Sequence, residues 1–348
     1  MIYNRPLQDC YSFSNSNSLN DEFIPFLLGR NAFNYLISSL EIKTIFLPSF
    51  ICSMVVDIFK NAGVEIIFYE NLDHQLKFSI KPVIKLLKEA KDQDNTFFLW
   101  HDYLSLLGDI PDELYEILEN NNTSSIIDAT HSLPSKQYKC QNVVFGFRKL
   151  LNQPFGAFLR LDKKNHLPIN EIPFIKIIKF IVHYKIQTII FATFKRFNNN
   201  MINTLLKKLS IFGDFYSFDK NDYFLSDNFN YKKILKLNKI LDYNKISEKR
   251  RKNFFHYSSG LSHNLNLDNF DTDCPYGFPL IVENNKNIRN KLWNEGIHSF
   301  ILWGSLHEDS LQANNIITEN LSKSIVVLPV NHDLTSSDIN RVIKIINA

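Results

Sequence analysis

The stretch SSIIDATHSLPSKQYKCQNVVFGFRKLLNQPFGAF, residues 124 to 158, holds two short apolar runs that each end in chemically reactive side chains. SSII runs into Asp128-Ala129-Thr130-His131, and NVVFGF runs into Arg148-Lys149. A third run, NTFFLW, ends the same way in His101-Asp102-Tyr103. Short continuous apolar runs are the pattern of strands buried on both faces. In an open parallel sheet, ligands bind at the carboxyl ends of such strands. A single polar strand end reads as a helix cap or a solvated loop, but three of them converging on one edge predict a site. The Arg148-Lys149 pair also lies between Gly146 and Gly156, in a chain with ten glycines among 348 residues, well below the usual ~7%.

Outward from this stretch, helix and strand alternate from residue 26 to 160. GRNAFNYLISSL, SMVVDIFKNAG (closed by Gly63) and IPDELYEILENN read as helices; TIFLPSF and VEIIFYE read as strands. This alternation predicts an α/β fold with a mostly parallel central sheet and helices on both faces. After about residue 215 the composition changes. ISEKRRKNFFHYSSGL, NKNIRNKLWNEG and SSDINRVIKIIN read as helices, YGFPLIVE and SIVVLPV as strands, with Thr335 and Asp338 forming a capping box before the last helix. We expect a large domain over 1–215 and a small C-terminal α/β domain over 216–348. The apolar stretch 172–197 carries Lys176, Lys179, His183 and Gln187 on one helical stripe. Lysines at the centre of a spanning helix cost roughly 3 kcal/mol each, which argues against a transmembrane segment. The stretch is read as a helix packed on the core or at a dimer interface, with a membrane-surface helix as the alternative.

A net charge of +3 with both signs spread along the chain gives no nucleic-acid footprint. The four cysteines, Cys10, Cys52, Cys140 and Cys274, are scattered without a CxxC pair, which suits a reducing cytoplasm. The opening MIYNRPLQDCYSF lacks the basic flank and apolar core of a signal peptide. A small-molecule partner fits these numbers best.

A lysine beside an aspartate at a sheet edge suggests a pyridoxal 5′-phosphate site, with lysine holding the cofactor covalently and the acid pairing with its ring nitrogen. A lysine amine is activated by desolvation or by a neighbouring cation, and Arg148 is such a neighbour. A phosphate needs backbone N–H donors at a helix start, which LLGRNAF offers, with Arg30 as an extra charge.

The runs GRNAF, LPSFIC, IIDATHS, GFRKLLNQPFGA and LPVNHDLTSSDI together resemble fold-type-I pyridoxal-phosphate enzymes of the DegT/DnrJ sugar aminotransferase family, over about residues 25 to 348. The resemblance implies that Lys149 carries the cofactor and shuttles a proton, that Asp128 pairs with the ring nitrogen, and that His131 lies near the ring hydroxyl. Arg30, Asn31 and Ala32 would cradle the phosphate beside Arg148. Either Phe50 or Cys52 falls at the ring-stacking position, and Phe50 is favoured because a thiol cannot stack as an aromatic does. The implied activity is transamination from glutamate to a keto sugar, nucleotide-linked and serving surface polysaccharide biosynthesis, by a cytoplasmic homodimer with its site at the subunit interface. Trp303 and His332 fall near where relatives reach toward the substrate.

Two departures stand out. Relatives carry serine three residues before the lysine where this chain has Gly146, and Gly-Gly where it has Gly156-Ala157. Three rival readings follow from the same residues. The first takes His101, Asp102, Asp128 and His131 as metal ligands. The second is a scaffold that keeps the fold and has lost the cofactor, and the third an elimination or dehydration on the same cofactor.

Overall fold

The computed structural model describes residues 23–89, 95–146, 149–150, 156–161, 167, 242–262, 265–267, 270–312 and 316–348. Cys10, the stretch 172–197, Arg148 and the expected domain boundary at 215 and 216 lie outside them. The strands of the first sheet are β1 (Phe23–Phe26), β2 (Thr44–Pro48), β3 (Glu65–Tyr69), β4 (Thr96–His101), β5 (Ser124–Ala129), β6 (Val143–Phe145) and β7 (Ala157–Arg160). Their order is β1-β7-β6-β5-β4-β2-β3. Pairing is parallel from β6 through β5, β4 and β2 to β3, while β7 runs antiparallel to both β6 and β1. The sheet is mostly parallel, as the apolar runs predict.

Side-chain alternation explains why helices cover both faces. Ile45, Leu47, Phe97, Leu99, Ile126, Val144 and Leu159 enter a core shared with α1 (Gly29–Leu40) and α2 (Ser53–Asn61). Their neighbours Phe46, Phe98, Trp100, Ile127, Val143 and Phe158 enter a second core, with Val83 and Leu87 of α3 (Ile80–Glu89) and Leu114 and Leu118 of α4 (Asp112–Asn120). Strands β1 and β7 were not read from the sequence. Each is four residues long, and Pro25 in β1 fits only an edge strand, which is where β1 lies.

A third core joins the C-terminal elements. Strands β8 (Gly277–Ile281) and β9 (Ile325–Pro329) pair antiparallel. Helices α5 (Tyr243–Gly260), α6 (Asn285–Asn294), α7 (Glu308–Gln312), α8 (Ile316–Ser324) and α9 (Ser336–Asn347) accompany them. Phe254, Tyr257, Leu292, Leu321, Ile339 and Val342 pack on this two-stranded sheet, and the same core takes in Phe50, Tyr103 and Leu104 from the first sheet's strand ends. No helix among the described residues is long and apolar enough to cross a membrane.

The capping box of α9 forms as expected: Thr335 Oγ1 accepts from the Asp338 N–H at 3.2 Å, and Asp338 accepts from the Thr335 N–H at 2.9 Å. Thr335→Ala removes one partner and is expected to cost about 1 kcal/mol, read as a lower urea midpoint with an unchanged denaturant slope.

Candidate active site

Parallel register brings the first two site residues together. His101 ends β4 directly opposite Asp128 of β5, and both side chains are buried. Asp128 Oδ2 stands 3.2 Å from His101 Nδ1, at an angle that leaves the imidazole nitrogens without a hydrogen bond. Asp128 Oδ1 accepts from the Thr130 N–H at 3.0 Å. Burial pushes the Asp128 carboxyl up, but His101, the Lys149 charge and the Thr130 hydrogen bond together outweigh it and hold the group at about 2. The carboxylate stays ionised at any physiological pH.

His131 is shifted downward too, which for an imidazole favours the neutral form. Burial above all, then the charges of Lys149 and His101, push its imidazole well below the usual range. Its Nδ1 accepts from the Leu104 N–H at 3.3 Å, so the proton of the neutral ring sits on Nε2. The ring stacks flat on Tyr276, centroids 4.7 Å apart and planes 1° from parallel. Leu104 and Ser105 follow β4 in a 3-10 turn, with left-handed φ of 56° and 60°. Such backbone costs energy outside glycine, and this turn aims the Leu104 amide at His131.

Lys149 follows β6, and its Nζ donates to Thr130 Oγ1 at 3.0 Å. The residue as a whole is exposed, while its hydrogen bond to Thr130 is part-buried. Gly146 acquires a physical reason. A Cβ there would stand 2.0 Å from the Thr130 carbonyl oxygen and 2.7 Å from its carbon, so the serine of the relatives has no room beside this backbone. Gly156 has φ of 123°, a glycine region, and its N–H donates to the Leu27 carbonyl at 2.9 Å.

Helix α1 starts beside the same threonine. An ideal Cβ on Gly29 would lie 3.3 Å from the Thr130 methyl. The α1 N-cap, Leu28, offers no side-chain cap and the first turn holds no acidic residue, so its own side chains add no negative charge to the dipole end. The Asn31 and Ala32 amides close the first turn on the Leu28 carbonyl, at 3.0 and 3.3 Å, so of the Arg30-Asn31-Ala32 set the two later amides are spent inside the helix. Cys52 is a half-buried free thiol at the N-cap of α2. Phe50 is fully enclosed, its ring 5.4 Å from Tyr103 and 4.9 Å from Trp303.

Trp303 joins the site through its rings. It stands 5.0 Å from His101 and 5.0 Å from Tyr103, on a left-handed backbone with φ of 54°. His332 is buried, and burial above all, then the Arg250 charge, lowers its imidazole to about 4.

Asp102, grouped with the histidines as a metal ligand in one reading, is committed elsewhere. Its Oδ1 accepts from the Leu107 and Gly108 amides, each at 2.9 Å. Its Oδ2 accepts from Ser132 at 2.8 Å, Tyr138 at 2.7 Å and Lys136 at 2.8 Å. Five donors leave this carboxylate no lone pair for a metal, and among the described residues no group of three acidic, histidine or cysteine side chains is arranged to hold one.

The chain superposes on solved aminotransferases over more than nine-tenths of its length. The fold is that of a fold-type-I, pyridoxal-phosphate-dependent aminotransferase. A DegT DnrJ EryC1 StrS aminotransferase from Brucella abortus superposes with a TM-score of 0.59 at 14% identity, over 93% of this chain and 85% of that one. The sugar aminotransferase CalS13 from Micromonospora echinospora gives 0.59 at 13% identity, over 94% and 87%. Spr1654 from Streptococcus pneumoniae, in its PLP-form, gives 0.59 at 13%, over 92% and 85%. No family model matches the chain, and no curated protein matches it in sequence. Within this aminotransferase fold Thr130 is the residue that sequence reasoning missed. It lies inside the quoted Asp-Ala-Thr-His run, but only the folded backbone shows that it touches β6, α1 and Lys149.

Gly146→Ala forces a methyl group into the Thr130 carbonyl and is expected to destabilise the protein by about 3 kcal/mol, measured by urea unfolding. Asp128 has a lowered folded-state pKa, so its stabilisation is present above the unfolded value and fades as pH falls through the folded one. Between about pH 4 and pH 2, Asp128→Asn is therefore expected to lose about 2 kcal/mol less stability than wild type, read from unfolding curves at each pH.

Proposed function

We propose that this chain is a pyridoxal-phosphate-dependent aminotransferase that moves an amino group from glutamate to the keto carbon of a sugar, nucleotide-linked and used in surface polysaccharide biosynthesis. The observation that carries the reading is the meeting of Lys149 and Asp128 at Thr130, on the ligand-binding edge of an aminotransferase fold. The donor set suits the cofactor: an ionised buried carboxylate for a protonated ring nitrogen, an amine for its aldehyde, and a helix start without a side-chain cap or a first-turn acid for its phosphate. When bound, the cofactor supplies an electron sink for negative charge at the donor's Cα.

The chain's residues divide the remaining work. Lys149 anchors the cofactor and afterwards carries the proton taken from the donor's Cα. Asp128, ionised, holds the ring nitrogen protonated. His131, neutral with its proton on Nε2, serves as donor to the ring hydroxyl. By the resemblance, Arg30, Asn31 and Ala32 at the start of α1, with Arg148, would receive the phosphate, the Asn31 and Ala32 amides giving up their bonds to the Leu28 carbonyl. Phe50 or Cys52 covers the ring; Phe50 has the aromatic face, with Tyr103 and Trp303 packed against it. A large cofactor domain over 1–215, a small domain over 216–348, a homodimer and a cytoplasmic location complete the proposal.

The test is to add pyridoxal phosphate to the purified protein, record the visible spectrum, reduce with borohydride and map the peptides. A yellow band and a reduced adduct on Lys149, both lost in Lys149→Ala, are expected, followed by loss of the band's characteristic absorbance on adding glutamate. A folded protein with neither band nor adduct overturns the reading.

A further inference from the structure

Four contacts converge on Thr130, each made by a different part of the residue. Its amide donates to Asp128 Oδ1 at 3.0 Å. Its hydroxyl accepts from Lys149 Nζ at 3.0 Å. Its methyl faces the first residue of α1, where a Cβ on Gly29 would stand 3.3 Å away, and its carbonyl closes over Gly146. Threonine is β-branched and stiff about χ1. With the methyl set toward α1 and the residue 7% exposed, the hydroxyl is directed at the lysine.

The lysine needs such a hold. Lys149 is an exposed residue on a flexible four-carbon stem, whereas Asp128 is buried and fixed at a strand end. Residue 146 cannot supply a hydroxyl, because any side chain there meets the Thr130 backbone. Residue 130 therefore provides, from β5, the polar contact that β6 is barred from providing.

We propose that Thr130 is the positioning residue of this site, its hydroxyl holding the Lys149 amine and its amide holding the Asp128 carboxylate, so that acid and amine keep a set spacing before the cofactor arrives. The proposal rests on the reading of Lys149 and Asp128 as the cofactor's anchoring pair. It requires the hydroxyl in particular, since valine matches threonine in shape and lacks the donor and acceptor.

The experiment labels the full-length protein, freed of cofactor, with trace acetic anhydride at a single pH, and compares Lys149 with Lys344 on α9 by peptide mass spectrometry. A hydroxyl that accepts from the ammonium stabilises its charged, unreactive form. Thr130→Val is expected to raise the labelling of Lys149 relative to Lys344 about threefold, while Thr130→Ser, which keeps the hydroxyl, labels like wild type. Thr130→Ala stands in if the valine variant does not fold. Equal labelling in wild type and Thr130→Val overturns the proposal, and so does an equal rise in the serine and valine variants, which would mean that only packing is at stake. Borohydride trapping of pyridoxal phosphate on wild type separates the two readings. An adduct on Lys149 without a labelling difference sinks the role of Thr130 alone. A labelling difference without an adduct sinks the cofactor reading on which the proposal rests.

Discussion

Both faces of the seven-stranded sheet are covered by apolar side chains, so charged groups connected with it can stand only where strands end. That constraint organises the molecule. Ile126 and Ile127 of β5 are each spent on one of the two cores, and the next position is the buried Asp128, one residue before the strand ends at Ala129. The parallel pairing of β4 with β5 then sets His101 opposite Asp128, while β6 ends one strand away and delivers Lys149. The antiparallel strand β7 brings the chain back, and its entry at Gly156 is bonded to Leu27 just before α1 begins. The ends of β4 and β5 thus place buried polar groups, and the turn after β6 places Lys149, on one edge.

Within that edge, two buried carboxylates at neighbouring strand ends meet different fates. Asp102 is enclosed by five donors, among them Lys136, which also bridges to Asp271 at 3.0 Å. Such a saturated buried charge fixes the loops around it, and removing one partner would leave the other uncompensated. Asp128 has the Thr130 amide, a neighbouring imidazole and a lysine charge beyond it. It is ionised without being saturated, the condition for a carboxylate meant to accept a further donor. His131, two residues beyond Ala129, is driven neutral by the same burial that the Asp128 charge withstands. Different charge states in adjacent groups, an ionised carboxylate and a neutral imidazole, are what a site needs to hold an acid–base pair in two distinct states.

The C-terminal elements complete the surroundings through aromatic rings rather than charges. Tyr276 stacks on His131, and Trp303 packs against Phe50, His101 and Tyr103. The left-handed backbone at Trp303 is unfavourable for a bulky residue, and its ring contacts are what hold it there. Ser310 adds a hydrogen bond to the Ser49 carbonyl at 2.6 Å, and Lys60 pairs with Asp309 at 2.7 Å, so α7 is tied to the residue after β2 and to the end of α2.

The sequence by itself determined the strands with continuous apolar runs, the helices α1, α2, α4, α5, α6 and α9 and the reactive residues at the strand ends, because burial on both faces and helical periodicity are written locally in residue order, while α3, α7 and α8 were not read. Asp128, His131 and Lys149 could be singled out on that ground, and the capping box of α9 could be read directly. It did not show β1 and β7, whose four residues carry too little pattern and whose pairing is with strands far along the chain. Nor could it separate Asp102 from Asp128, since both follow an apolar run and only their partners differ. Gly146 reads in sequence as a lost hydroxyl. Tertiary structure alone reveals that the Thr130 backbone excludes any side chain there, and that Thr130 itself reaches the lysine, because distance between segments is set by how the strands pack and not by their order.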